Sequence, residues 1–185
     1  MVEFLQALKI LSDSELGKLN SVITNRFLKK NDFFVKEGNI CNEIVLIKSG
    51  ILRSYYINNK GDEITKCIAF KNELASAYSS FITQEPTFEN IQAICDTELV
   101  VLKRNDLYNL YQNNAEWQNA GRLLTELHYI ELENRTVSFQ KQTAKERYET
   151  LIMNHSKYLK HIPLKHLSSY LGITPRHLSR LRKTY

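Results

Sequence analysis

The 185-residue chain has little of what builds a metal or redox centre. Its three cysteines, Cys41, Cys67 and Cys95, are odd in number and lie 26 and 28 residues apart, far from any CxxC or metal-finger spacing, so they read as buried free thiols. All five histidines, at 128, 155, 161, 166 and 177, lie outside the stretch with strand-like patterning. A metal-dependent enzyme on a β-scaffold would need imidazoles on its strands, so that class is disfavoured, and neither metal nor cofactor is expected. No run approaches the roughly 18 apolar residues of a membrane span. Glu3 and Gln6 interrupt the apolar pattern of Met1 to Leu11, so no signal peptide is read and a cytoplasmic chain is expected. Lys and Arg are missing from Asn72 to Leu102, which leaves a phosphate buried there only backbone N–H groups, beside Glu73, Glu85 and Glu89. Internal repeats and low-complexity linkers are absent too.

What is present begins with 43% hydrophobic content, enough for one medium domain plus a small one. Residues 4 to 11 are apolar at helical intervals, and Ser12 with Glu15 predicts a capping box for a helix carrying Leu16, Leu19, Val22 and Ile23. From Phe33 the period changes. FFVKEG, EIVLIKSG, ILRSYYI, EITKCIAF, NIQAI and ELVVLK are short β-branched or aromatic runs, with turns at Gly38, Gly50 and Asn58 to Gly61, and predict an antiparallel sandwich or barrel. The helical period returns with Leu107, Leu110 and Tyr111, and a long helix follows from about Ala115 to Gln142. In it Leu123, Leu127, Ile130, Asn134 and Val137 alternate spacings of four and three, as a coiled-coil seam does, with Asn134 favouring an in-register parallel dimer. A single helix packed on the sandwich would show a similar stripe. Thr143 predicts the cap of a further helix, Ala144 to about His155, with Tyr148, Leu151 and Ile152 inward.

The last stretch is the most specific. Pro163 opens a run with Leu164, Leu167 and Leu171 on one face and Lys165, His166 and Ser169 outward; Gly172 ends it; Thr174 caps and Pro175 starts a second helix. Leu178 and Leu181 point inward there, leaving Arg176, His177, Ser179, Arg180, Arg182 and Lys183 exposed. From Lys141 to Tyr185 there are ten Lys/Arg against two acids, whereas residues 1 to 140 hold fifteen Lys/Arg and eighteen acids. This is the pattern of a helix-turn-helix with a cationic second helix, suited to double-stranded DNA. A solvated helical hairpin, or a basic helix meeting an acidic protein, remains the alternative.

In this order of elements the chain resembles the Crp/Fnr family of transcription regulators. The resemblance is carried by HLSSYLGITPRHLSRLRK at His166 to Lys183, KEGN at Lys36 to Asn39 and LIKSGILRSYY at Leu46 to Tyr56. It implies an α+β fold: an N-terminal antiparallel sandwich or jelly roll of the cyclic-nucleotide-binding type (1–111), a central dimerisation helix (112–142) and a C-terminal helix-turn-helix (143–185). It implies a homodimer on duplex DNA, no covalent chemistry, and RNA polymerase as a candidate partner. By position, Arg176 and Arg180, with His177 and Ser179, are the expected base readers; Thr174, Arg182, Lys183 and Lys165 are the expected phosphate contacts. Arg182 stands where the family usually has an apolar residue.

The sensory cassette departs from the family. Ala75-Ser76-Ala77 replace the Gly-Glu-Leu turn, and Pro86-Thr87-Phe88 stand near the expected Arg-Ser pair, so a response to cyclic AMP is not expected. Ala75, Ser76, Ala77, Tyr78, Thr87 and Phe88 are the candidate pocket for an unidentified small molecule, although Tyr78, Phe81 and Phe88 could equally be plain core. An atypical cyclic-nucleotide or other small-molecule sensor is the second reading. An iron–sulfur sensor of the Fnr type would need cysteines before Cys41. The DNA module lacks the family's hairpin and wing: SKYLKHIP joins its first two helices, and Thr184 and Tyr185 follow the last.

Overall fold

In the computed structural model the described residues are 1–156 and 159–183, without the Asn113 side chain. Lys157, Tyr158, Thr184 and Tyr185, which belong to the expected connector and tail, lie outside them. Two N-terminal helices, α1 (Val2–Ala7) and α2 (Asp13–Val22), lead into eight strands: β1 (Ile23–Leu28), β2 (Phe33–Val35), β3 (Glu43–Ser49), β4 (Leu52–Ile57), β5 (Glu63–Ala69), β6 (Leu74–Ala75), β7 (Asn90–Ala93) and β8 (Thr97–Lys103). Helix α3 (Tyr78–Thr83) sits between β6 and β7, and α4 (Arg104–Asn113), α5 (Ala115–Lys141), α6 (Ala144–His155), α7 (Leu164–Leu171) and α8 (Pro175–Arg182) complete the chain.

The strands form two four-stranded antiparallel sheets, ordered β1-β8-β3-β6 and β2-β7-β4-β5. Val45, Ile47 and Leu99 from the first and Leu52, Ile91 and Ala93 from the second meet in the core between them, as period-two alternation requires. The Asn58–Gly61 turn joins β4 to β5, and Gly38 and Gly50 both take positive φ. A side chain at Gly50 would run into Thr97 and the Asp96 carbonyl, so only glycine lets the β3–β4 turn close over β8. A second cluster gathers α1, α2, α4 and the start of α5 around Leu19, Phe81, Leu107 and Trp117.

Four local expectations are corrected. Of the three thiols expected to be buried, Cys41 is, whereas Cys67 is exposed and Cys95 half-buried. The helix expected through Ile23 ends at Val22, and Ile23 starts β1, whose ITNRFL buries only Leu28 and so gave no strand-like alternation. The Ser12–Glu15 capping box does not form. Instead the Ser12 amide donates to Glu116 of α5 at 2.7 Å, and Glu15 accepts from Trp117 Nε1 at 3.0 Å and Lys18 Nζ at 2.6 Å. Tertiary partners on α5 outcompete the local cap. At the other end, His166 and Ser169 do not face outward: the His166 Nδ1 is buried, and Ser169 lies against β5.

The third cluster positions the site. Ile51, Ile68, Phe70 and Ile94, on the outer side of the second sheet, pack with Tyr148, Leu151, Ile162, Leu167, Leu171 and Leu178. The terminal helices therefore share their core with the sandwich.

Candidate nucleic-acid interface

Helix α7 ends as its sequence requires. Gly172 takes φ +70°, its amide donates to the Ser169 carbonyl at 3.1 Å, and the Ile173 amide donates to Ser168 at 3.0 Å, the paired bonds of a Schellman cap. Thr174 then caps α8, its hydroxyl accepting from the His177 amide at 3.2 Å, and Pro175 occupies the first turn. Leu167, Leu171 and Leu178 are fully buried, with Ile173 and Leu181 packed against them, as the spacing predicts.

On the other face of α8, Arg176, His177, Arg180, Arg182 and Lys183 are exposed and Ser179 is half-buried; Lys165 is exposed on α7. The Thr174 hydroxyl accepts its capping bond, so it meets a phosphate only as a donor. Eight residues at about 1.5 Å rise span about 12 Å, the width of a B-DNA major groove. Arginine forks at positions i and i+4 of one helix face the same way and can each bond guanine O6 and N7.

Two further arginines fix this unit and carried no signal in spacing. Arg135, from α5, donates to the Tyr170 carbonyl at 3.0 Å and stacks over the Tyr170 ring at 4.0 Å. Arg147, from α6, donates through Nε and Nη2 to the Leu171 carbonyl at 3.2 and 2.9 Å. Both satisfy the orphan carbonyls at the end of α7, where the helix dipole favours a cation. Phe139 lies under both guanidiniums, at 4.9 and 4.8 Å.

The expected coiled-coil seam lies on α5. Leu127, Ile130 and Val137 are 42%, 49% and 37% exposed, Asn134 is exposed, and Leu123 is half-buried. The stripe is thus not covered by the sandwich of its own chain.

The candidate pocket residues diverge. Ala75 and Ala77 pack into the core between the sheets. Ser76 donates to the Glu43 carbonyl at 2.9 Å. Tyr78 leans on α5, its hydroxyl 2.7 Å from Thr125 Oγ1 and its ring edge-on to His128. Phe81, 2% exposed, is core. Thr87 is buried with its backbone paired to Gly38 and Asn39, whereas Phe88 is 56% exposed. Clefts of about 260 and 130 Å³ lie elsewhere, against α2 and α4 and against the β2–β3 connection. The cassette does receive a cation from outside its own stretch: Lys66 of β5 reaches within 2.9 Å of Glu89 and lies over the Phe88 ring. Glu89, 2% exposed, also accepts from Ser54, so the Lys66 charge is matched within the protein. Among the described residues no three His, Cys, Asp or Glu side chains gather to hold a metal, and no helix is long and apolar enough to cross a membrane.

Residues 25–114 match the family model of the cyclic nucleotide-binding domain. The anaerobic regulatory protein of Bacillus subtilis is 29% identical over 108 residues, 57% of this chain and 45% of that protein. The chain thus spans under half the length of that relative. Among solved structures, FixK2 from Bradyrhizobium japonicum superposes with a TM-score of 0.77 at 18% identity, covering 88% of this chain and 84% of the other. A Crp/Fnr-family protein from Eubacterium rectale superposes with a TM-score of 0.73 at 20% identity, covering 98% and 87%.

Proposed function

We propose that the chain, a cyclic nucleotide-binding-type sandwich followed by helices, is a member of the Crp/Fnr family and a dimeric, sequence-specific DNA-binding transcription regulator. The observation that carries the reading is the exposed cationic face of α8 on a helix anchored by the fully buried Leu178. Arg176 and Arg180, flanked by His177 and Ser179, read base edges; Thr174, Lys165, Arg182 and Lys183 contact phosphates. Residues 1–111 form the sensory unit, 112–142 the dimer helix and 143–185 the DNA-binding unit. Two chains meet along Leu123, Leu127, Ile130, Asn134 and Val137, which gives the paired recognition helices two-fold symmetry. The Bacillus relative is a regulatory protein, which supports the regulator reading, and RNA polymerase is the partner such a role implies.

The test is selection of bound sequences from a random duplex pool at near-physiological salt. A palindrome with half-sites about one helical turn apart is expected. Binding without consensus that vanishes as salt rises would leave only a basic surface, suited to an acidic protein partner.

The sandwich is proposed not to respond to cyclic AMP. Its cassette holds no Lys or Arg of its own, and two cations that reach it are already engaged: Lys66 is paired with Glu89, and Arg104 Nε donates to the Phe81 carbonyl at 2.9 Å. The domain match favours one rival, a cyclic-nucleotide sensor with an atypical pocket. Calorimetric titration with cyclic AMP and cyclic GMP separates the two: heat that saturates at micromolar ligand would establish the rival.

A further inference from the structure

Strand β5 is the last strand of its sheet, so among the described residues one of its edges has no strand partner. Such an edge presents a row of N–H and C=O groups that another strand could pair with. On β5 the outward groups include the Thr65 amide and the Glu63 carbonyl, two residues apart on the same side. The Ser169 hydroxyl of α7 meets both: it accepts from the Thr65 amide at 2.8 Å and donates to the Glu63 carbonyl at 3.2 Å. One hydroxyl thus makes the two bonds that the next strand would make. Around it, Arg53 of β4 is 1% exposed and holds Glu63 at 2.7 Å and Thr65 Oγ1 at 2.9 Å. The same last turn of the helix is gripped by Arg135 and Arg147, through the Tyr170 and Leu171 carbonyls, one and two residues beyond Ser169. Helix α7 is therefore where the sheet edge, α5 and α6 converge, and only the Gly172–Thr174 turn separates it from α8.

We infer that α7 docks on sheet β2-β7-β4-β5 in place of a fifth strand, and that Ser169 is a positioning residue through which movement of β5 reaches α8 without passing through the dimer helix. A serine suits this role because its hydroxyl donates and accepts at once on a short, stiff stem. Coupling is expected to be two-state in character, because the buried cluster shared by α7, α8 and the sheet does not deform continuously. The consequence for DNA rests on the function proposed above; the docking itself does not.

The experiment is residue-resolved amide exchange on the full chain, comparing the parent with Ser169→Ala, Ser169→Val and Ser169→Thr. Loss of the hydroxyl removes two bonds, so in the Ala and Val variants the Thr65 amide should exchange on the order of tenfold faster. The Leu178 amide of α8, bonded to the Thr174 carbonyl, should accelerate with it. Thr keeps the hydroxyl in the shape of Val and should restore both rates, which a packing role alone would not do. The amides between β3 and β8, in the other sheet, report that each variant is folded. A Thr65 amide as protected in Ser169→Ala as in the parent would overturn the docking. Acceleration at Thr65 with α8 unchanged would overturn the coupling. DNA binding is measured on the same samples: if even the parent shows no sequence preference, the proposed function fails, while the exchange rates still decide the docking.

Discussion

Replacing Gly172 with alanine tests the helix-turn-helix corner at its tightest point. Two costs are separable in the structure. An L-residue at φ +70° has left-handed backbone, which costs about 1–2 kcal/mol for a residue with a Cβ. That Cβ would also lie 2.7 Å from the Phe139 Cε1, a contact that something must relieve. Phe139 is 42% exposed and can move outward, so relief belongs at the low end of overpacking, about 1 kcal/mol. Movement of the ring also disturbs Arg135 and Arg147, which stack on it while holding the end of α7. Gly172→Ala should therefore destabilise the chain by about 2–3 kcal/mol in urea unfolding followed by far-ultraviolet circular dichroism. In a Phe139→Ala background only the backbone cost remains, about 1–2 kcal/mol. A cost below about 0.5 kcal/mol in the parent would refute the left-handed corner, because natural surface changes fall in that range. Equal costs in both backgrounds would refute the close approach of Phe139.

The proposed DNA-binding surface gives a contrast between two cations: Arg180→Ala should lose about 1–3 kcal/mol on the preferred duplex and relax base choice, whereas Lys183→Ala should weaken all duplexes alike and flatten the salt dependence. Equal losses on all sequences for both would restrict Arg180 to backbone contact. On the proposed dimer, Ile130→Asp in the exposed stripe of α5 should shift sedimentation toward the monomer without changing helix content; an unchanged sedimentation coefficient would refute the α5 seam. Acid should loosen the contact between the terminal helices and the sandwich. Burial lowers the His155 and His166 pKa below the ordinary 6.5, and for His166 the Arg53 charge lowers it further, against the raising effect of Glu63. The folded chain thus binds fewer protons than the unfolded one. These groups leave stability untouched well above pH 6.5 and reduce it as pH falls below 6.5 toward their folded values. Urea midpoints at pH 7.5 and 5.5 check this, and a His155→Phe, His166→Gln double variant should lose part of the difference.

The helix-turn-helix was legible because its signals are local: the cap at Thr174, Pro175, the Gly172 stop and leucines three and four apart all act within one or two helical turns. The sandwich was legible for the same reason where strands alternate and end at glycine turns. Strand β1 was not, since it lies at a sheet edge and Arg26 reaches across to a bidentate pair with Glu43 instead of presenting an apolar face. The Ser12 cap failed as a prediction because Glu116, 104 residues away, supplies a better partner. Ser169 looked like a solvent-facing helix residue for want of any way to foresee a sheet edge beneath it. Arg135 and Arg147 were invisible on similar grounds: each meets a carbonyl 35 or 24 residues on, a distance that only the packing of α5, α6 and α7 closes.

Charge counted along a sequence and charge available at a surface differ, and the difference sharpens the reading of this chain. Residues 141–185 hold ten Lys/Arg, but Arg147 is turned inward onto the end of α7. Arg53 and Arg135, from outside that stretch, are likewise held at the junction, by Glu63, Thr65 and the Tyr170 carbonyl. A guanidinium bonded to carbonyl or carboxylate oxygens and stacked on a ring is a poor phosphate ligand, because binding would first require breaking those bonds. The cations left exposed on α8, Arg176, Arg180 and Arg182, lie within eight residues, in the basic stretch of the chain, whereas the sandwich at 23–103 holds ten Lys/Arg and ten acids. On the function proposed above, attraction to a phosphate backbone acts through the α8 cations together with the exposed Lys141, Lys145, Lys160 and Lys165 of the same basic stretch. Under that arrangement the salt dependence of binding should report these exposed cations and not the clamped arginines, and Arg147→Gln should alter stability while leaving the salt slope unchanged. A slope that falls by about one unit in Arg147→Gln would place that arginine on the phosphates and undo the division between clamping and reading arginines.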